Sequence, residues 1–307
     1  MSDSSGHHGL DRRSFLKTAA AVAGADMLAS PAARAAEHDE PHRLIDVNVS
    51  LSRWPSRRLP YDEPAALVAR LRRGGVTQAW AGSFDALLCQ NTTAVNDRLA
   101  RQCRTHGEGL LVPFGLINPL LPGWEDELQR CAQRHHMPGI RLHPNYHGYK
   151  LDHPALARLL LRAARRGLIV QLALCMEDER NAQRMLCLPP VNPAPLAGLV
   201  PRIASLRLML LNVKSPRSVE PLTGLSGAAE VYLEIAMLEG VAGVESLLRR
   251  VPLSHVCFGS HAPFFSFESS RLKLKESVLS GQQQDAICSA NAERLLGLVN
   301  SPFSPKG

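Results

Sequence analysis

From Leu44 onward the chain alternates between short apolar or β-branched runs and longer stretches whose apolar residues recur at helical spacing. That alternation is the signature of repeated strand–helix units. The runs predicted as strands are Leu44 to Leu51, Val76 to Phe84, Leu110 to Asn118, Gly139 to Pro144, Leu168 to Cys175, Leu206 to Val213, Glu230 to Met237 and His255 to His261. Helical patterns between them include Glu63 to Arg73, Ala94 to Thr105, Trp124 to His136 and Pro154 to Arg166. Eight such units in series predict an α/β fold of the (β/α)8 TIM-barrel type, closed as a single domain. An open, doubly wound sheet shares the periodicity, but no Gly-x-Gly-x-x-Gly follows the first strand, which removes its dinucleotide-binding version. The connection from Glu177 to Pro195 is longer and proline-rich, and reads as a loop over one end of the barrel.

In a closed barrel the outer face of each strand packs on helices, so polar residues within a strand are expected to point inward. Alternation places Asp46, Asn48 and Ser50 on one face of the first strand and Arg141 and His143 on one face of the fourth. Gln171 lies on the fifth strand, Asn212 and Lys214 on the sixth, Glu234 on the seventh, and His261 ends the eighth. These residues converge on the C-terminal mouth, where barrels carry their chemistry. Burying them unpaired is costly, so the collection reads as a site. Asp46, deeper than its neighbours, reads as a structural acceptor. His143 is either a satisfied strand-end histidine or the start of a functional loop, His143-Pro144-Asn145-Tyr146-His147-Gly148-Tyr149. His135, His136 and His153 read as solvated loop or helix-end residues, and Trp54 with Arg53 either closes the pocket or packs it.

The chemistry these residues offer is acid–base work and anion binding. His261, as a histidine, is expected to titrate near neutral pH and could exchange a proton, with His143 or Glu234 as its partner. Arg141 and Lys214 could hold a substrate carboxylate. Asn48 and Asn212 offer donors for a developing oxyanion. Ser50, Tyr146 and His147 complete the expected substrate-binding set. A Ser-His-acid triad through Ser50 or Ser260 lacks the spacing of a nucleophile elbow.

Composition narrows the partners. With 307 residues and 45% hydrophobic content, the chain is not disordered. No apolar run of about 18 residues follows the N-terminus, which excludes a multi-span membrane protein. The net charge of +7 is carried mostly by arginines spread along helices; no basic arm for nucleic acid appears, and a small-molecule substrate is the expected partner. Seven widely spaced cysteines without a Cys-x-x-Cys pair describe neither a disulfide framework nor a zinc knuckle, and read as buried free thiols.

At the N-terminus, Asp11-Arg12-Arg13-Ser14-Phe15-Leu16-Lys17 and the alanine-rich segment behind it resemble a twin-arginine translocation signal, with Ala33-Arg34-Ala35 as the cleavage pattern. Only the first position, Asp11, departs from the usual Ser or Thr. The resemblance implies passage through the twin-arginine export machinery to the periplasm, with no stable membrane span after cleavage. The expected division is a signal over 1–35, a linker over 36–43, the barrel over 44–298 and a tail over 299–307.

Three stretches carry a second resemblance: Gly139-Ile140-Arg141-Leu142-His143-Pro144 with the Tyr146, Gly148, Tyr149, Leu151 and Asp152 that follow; Cys257-Phe258-Gly259-Ser260-His261-Ala262-Pro263-Phe264; and Asn291-Ala292-Glu293-Arg294-Leu295-Leu296-Gly297-Leu298. Over about Leu44 to Leu298 the chain resembles the amidohydrolase-related family, TIM-barrel metal-dependent hydrolases that also include decarboxylases and lactonases. The resemblance implies a small cyclic or carboxylated substrate. It also implies a divalent metal held by a His-x-His pair on the first strand, later histidines and an eighth-strand aspartate. Those positions fall here on Asn48 and Ser50, Ala173, Asn212 and His261. Zinc would need a different ligand set, so the expectation is a metal-free hydrolase. A metal-free decarboxylase and a catalytically silent, ligand-binding barrel are the alternatives.

Overall fold

The computed structural model describes residues 43–178, 188–223 and 230–297; the predicted signal and tail, the linker up to residue 42 and the middle of the predicted loop over 177–195 lie outside them. Eight parallel strands run in sequence order: β1 (Leu44–Leu51), β2 (Val76–Ser83), β3 (Leu111–Leu116), β4 (Gly139–Leu142), β5 (Ile169–Ala173), β6 (Arg207–Leu211), β7 (Glu230–Glu234) and β8 (Val256–Cys257). The circle is completed by backbone bonds from Val47 N to Phe258 O (3.0 Å), His261 N to Asn48 O (2.8 Å) and Ser50 N to Ala262 O (2.9 Å). These bonds explain why β8 is shorter than its apolar run. After Cys257 the chain turns its hydrogen bonds from β7 to β1, which a pattern of side chains cannot reveal.

The helices are α1 (Pro64–Arg73), α2 (Thr92–His106), α3 (Trp124–Gln133), α4 (Pro154–Arg165), α5 (Leu196–Leu199), α6 (Pro216–Thr223), α7 (Gly243–Leu248), α8 (Phe267–Lys275), α9 (Gly281–Asp285) and α10 (Asn291–Gly297). Helix α4 shows how sequence sets them. Pro154 stands in the first turn, where its missing N–H costs nothing, and the His153 ring nitrogen accepts from Ala155 N at 3.1 Å as the cap. Leu156, Leu159, Leu160 and Ala163 then form one buried stripe, and Arg162 and Arg165 lie in the last turn, favourable to the helix dipole.

Two apolar layers result. Strand residues such as Ile140, Leu142, Val170, Leu172, Leu208 and Leu210 pack outward with the helices. A second set, including Ile45, Val47, Trp80, Val112, Phe114, Ile169, Met209 and Tyr232, fills the barrel, with Trp80 and Phe114 stacked at 4.9 Å. The described cysteines are free thiols, and all but Cys89 are buried.

One expectation about β1 is corrected. Asp46 pairs with Ala79 but Val49 with Ala81, so β1 carries one extra residue between them. Such a bulge reverses the alternation. Asp46 therefore lies between the inward Ile45 and Val47 and faces the opposite way, while Asn48 and Ser50 point into the barrel. Asp46 accepts from Asn48 N (3.1 Å), Ser260 N (3.0 Å) and Ser260 Oγ, tying the bulge to the end of β8. Burial pushes its carboxyl up to about 7.

Candidate active site

The inward polar residues form two groups at different depths. The deeper group is a framework around Arg141. Its Nε donates to Gln171 Oε1 (2.8 Å), one terminal nitrogen to Val49 O (2.9 Å) and Ser50 Oγ (3.3 Å), and the other to Trp80 O (3.1 Å). Gln171 in turn donates to Val47 O at 2.7 Å. One buried guanidinium thus bridges β4 to β1, β2 and β5. Glycine at 82 makes room for it, since a Cβ there would lie 2.7 Å from a guanidinium nitrogen. Burial lowers the Arg141 pKa to about 10, so the group remains charged at neutral pH. With four acceptors on its fork, Arg141 is a cross-link within the barrel and does not present the open, bidentate face expected of a carboxylate anchor.

Beside it, Asn48 Nδ2 donates to Asn212 Oδ1 (2.8 Å) and Glu234 Oε1 (3.2 Å), and Asn212 Nδ2 donates to Cys175 O (2.6 Å). Glu234 accepts further from Asn212 N and Ala236 N. Gly259 is needed here, because a Cβ would stand 2.5 Å from Glu234 Oε2. The expected oxyanion donors and the expected acid partner of His261 are therefore bonded to one another. Asn212, with φ of 62°, occupies the left-handed region that Asn tolerates better than most residues. Burial raises the Glu234 carboxyl, opposed by its backbone donors and by Lys273. Lys273, on α8, also donates to Ile235 O and Ala236 O, a contact that no strand pattern announces.

The second group stands nearer the mouth and has unused bonding capacity. The His261 Nε2 lies 2.9 Å from Met176 O; a carbonyl only accepts, so Nε2 carries the proton and Nδ1 keeps its lone pair. That Nδ1 is buried without a partner, as are both ring nitrogens of His143, Nδ1 of His147 and the Tyr149 hydroxyl. His147 is held by Ala86 O at 3.0 Å from its Nε2. The His143 and His147 rings are 6.0 Å apart and those of His147 and Tyr149 6.4 Å. Burial takes the His261 pKa down to about 4, partly opposed by the Met176 carbonyl, and takes His143 well below the ordinary histidine range, aided by His147, Arg141 and His261.

Aromatic side chains from the loops wall this group. Phe264 stacks on His261 at 5.2 Å, and Trp54 contacts Phe84, Tyr146 and Phe264 at 5.1, 6.5 and 4.7 Å. Of the remaining expected residues, Lys214 lies half-buried on the loop after β6, its carbonyl accepting from Glu239 N. Ser50 Oγ accepts from Arg141 and Ser260 Oγ donates to Asp46, so a serine triad with either has no support. His135 pairs with Asp97 at 2.9 Å. Sequence reasoning missed the Met176 carbonyl and Lys273, and did not single out Tyr149; only the last, inside the His143 to Tyr149 run, left a signal there.

Most of the positions where the resemblance would put metal ligands carry side chains that bind a divalent cation poorly. Those positions hold the amides of Asn48 and Asn212, whose N–H groups point into the network, the Ser50 hydroxyl, Ala173 and His261. Both Glu234 oxygens are already hydrogen-bonded, and among the described residues no three His, Cys, Asp or Glu side chains could hold a metal together.

Fold and site together define a (β/α)8 barrel with buried histidines and a glutamate at the C-terminal ends of its strands. More particularly, the chain belongs to the amidohydrolase family, which it matches over residues 47–298. No curated protein matches it. Among solved structures it is similar to the IDCase of Metarhizium anisopliae in its apo form, at 16% identity and a TM-score of 0.64 over 83% of this chain and 97% of that one. The 2,6-dihydroxybenzoate decarboxylase from Rhizobium gives 12% and 0.62 over 82% and 99%. The 5-carboxyvanillate decarboxylase of Novosphingobium aromaticivorans, with bound manganese, gives 13% and 0.64 over 85% and 98%. At these identities the likeness establishes the fold.

Proposed function

We propose that this amidohydrolase-family protein hydrolyses a small, cyclic, carboxylated metabolite by acid–base catalysis without the family's metal. The reading rests on one observation above others, the buried, unpartnered Nδ1 of His261 among further unpartnered groups. In this scheme His261 Nδ1 takes a proton from water as the hydroxyl oxygen adds to the substrate carbonyl. A His143 N–H donates to the resulting oxyanion, and the proton on His261 passes to the leaving oxygen as its bond to carbon breaks. His147, Tyr146 and Tyr149 orient the substrate, and the aromatic wall suits a ring. Arg141, Asn48, Asn212 and Glu234 hold the floor.

The test is a panel of carboxylated lactones, cyclic esters and aromatic acids, assayed with chelator present and alongside elemental analysis of the purified protein. Chelator-resistant acid release from a lactone or ester is the expected result. Carbon dioxide release would replace hydrolysis with decarboxylation, ligand binding without turnover would leave a silent barrel, and stoichiometric zinc would overturn the metal-free scheme. The arginine pair at 12 and 13 supports export to the periplasm by the twin-arginine machinery. Replacing both with lysine is expected to leave the chain in the cytoplasmic fraction; an unchanged periplasmic yield would count against export by that route.

A further inference from the structure

At the end of the barrel opposite the mouth, a cleft of about 330 Å3 opens between the last turn of α2, the start of β3 and the turn preceding β4. Its floor is buried and apolar, formed by Ala100, Cys103, Leu111 and Pro113, and its rim carries the exposed Arg104 and Arg134. The acids nearby are already paired: Asp97 with Arg130 at 3.0 Å and with His135, which also lines the cleft, at 2.9 Å, and Glu108 with Arg72. Among the described residues neither Arg104 nor Arg134 has a carboxylate partner. Burial pushes the Cys103 thiol up to about 12, so it contributes surface and no nucleophile.

Two unpaired guanidiniums above an apolar floor are complementary to one chemistry. Their planar forks match a carboxylate, and the floor rewards an attached apolar body through the area it removes from water. The volume lies within the range of small-molecule sites. We infer that this cleft binds a small carboxylate with an apolar body, its anionic head between Arg104 and Arg134. The N-terminal end of a (β/α)8 barrel is remote from its chemistry, so this site stands independently of the reaction proposed at the mouth.

Calorimetric titration of the full chain with octanoate tests it, with octanol and inorganic phosphate as the neutral and the headgroup-only probes. Octanoate is expected to bind at least about tenfold more tightly than either, each factor of ten being about 1.4 kcal/mol. The paired substitution Arg104→Gln with Arg134→Gln, on an exposed rim, is expected to weaken octanoate by about tenfold or more and leave turnover at the mouth unchanged. Equal octanoate affinity in wild type and double variant would overturn the assignment, as would an absence of binding. Phosphate binding as tight as octanoate would reduce the cleft to a plain charged patch.

Discussion

Turnover is expected to fall by about 10²–10⁴-fold when His261 becomes glutamine, with the fold preserved. Glutamine can still donate an N–H to Met176 O, so the bond that holds residue 261 against the loop after β5 survives. What disappears is the lone pair at Nδ1. The same reasoning fixes the pH profile. The neutral imidazole is the working base, and burial depresses its pKa from about 6.5 to about 4. Activity should therefore persist as pH falls through 6.5, where an ordinary histidine is half protonated, and be lost only as pH falls through about 4. Nitrogen NMR at pH 6.5 should show His261 neutral and protonated at Nε2. His143→Ala should cost about 10²–10³-fold, the effect of removing one oxyanion donor. A His261→Gln variant within threefold of wild type, or an acidic limb near pH 6.5, would remove His261 from the reaction.

Much of this arrangement was legible from polar residues placed inside apolar strands. Asn48, Ser50, Arg141, His143, Gln171, Asn212, Glu234 and His261 are all buried, because only a barrel interior can take such side chains from strands whose outer faces carry helices. β1 matched its predicted limits, while β3 to β8 ended early. Their last apolar residues leave the sheet to become loop walls, and apolar character alone does not separate the two uses. The sorting of roles was less legible. Two-residue alternation assumes an unbroken ladder, and the bulge after Asp46 breaks it. Residue type identified Arg141, Asn48 and Glu234 as chemically able, but whether a donor remains available depends on neighbours from other strands. Those neighbours, Trp80 O, Val49 O and Cys175 O among them, are backbone carbonyls without any sequence signature. The aromatic wall is equally hidden, since Trp54, Phe84 and Phe264 come from loops after three different strands.

Arg141 separates a framework role from a substrate-binding role most sharply. Arg141→Met retains an apolar stem but removes every donor of the fork, leaving Gln171 Oε1, Ser50 Oγ, Val49 O and Trp80 O buried without it. Each unsatisfied acceptor costs about 1–3 kcal/mol. Relaxation of the freed groups and entry of water bring the total below the sum over four acceptors, to about 3–5 kcal/mol. Glu234 and Asp46, the acids whose charges act on Arg141, would also lose the nearby positive charge. The expected outcome is a loss of about 3–5 kcal/mol, read as a lower urea midpoint, with β1, β2 and β5 exchanging amide hydrogens faster. Arg141→Lys should recover only part of it, since a single ammonium cannot reach acceptors on three strands at once. A substrate anchor behaves in the opposite way: the methionine variant would keep its urea midpoint and raise KM. That pattern would return Arg141 to the mouth and show its four framework bonds to be dispensable.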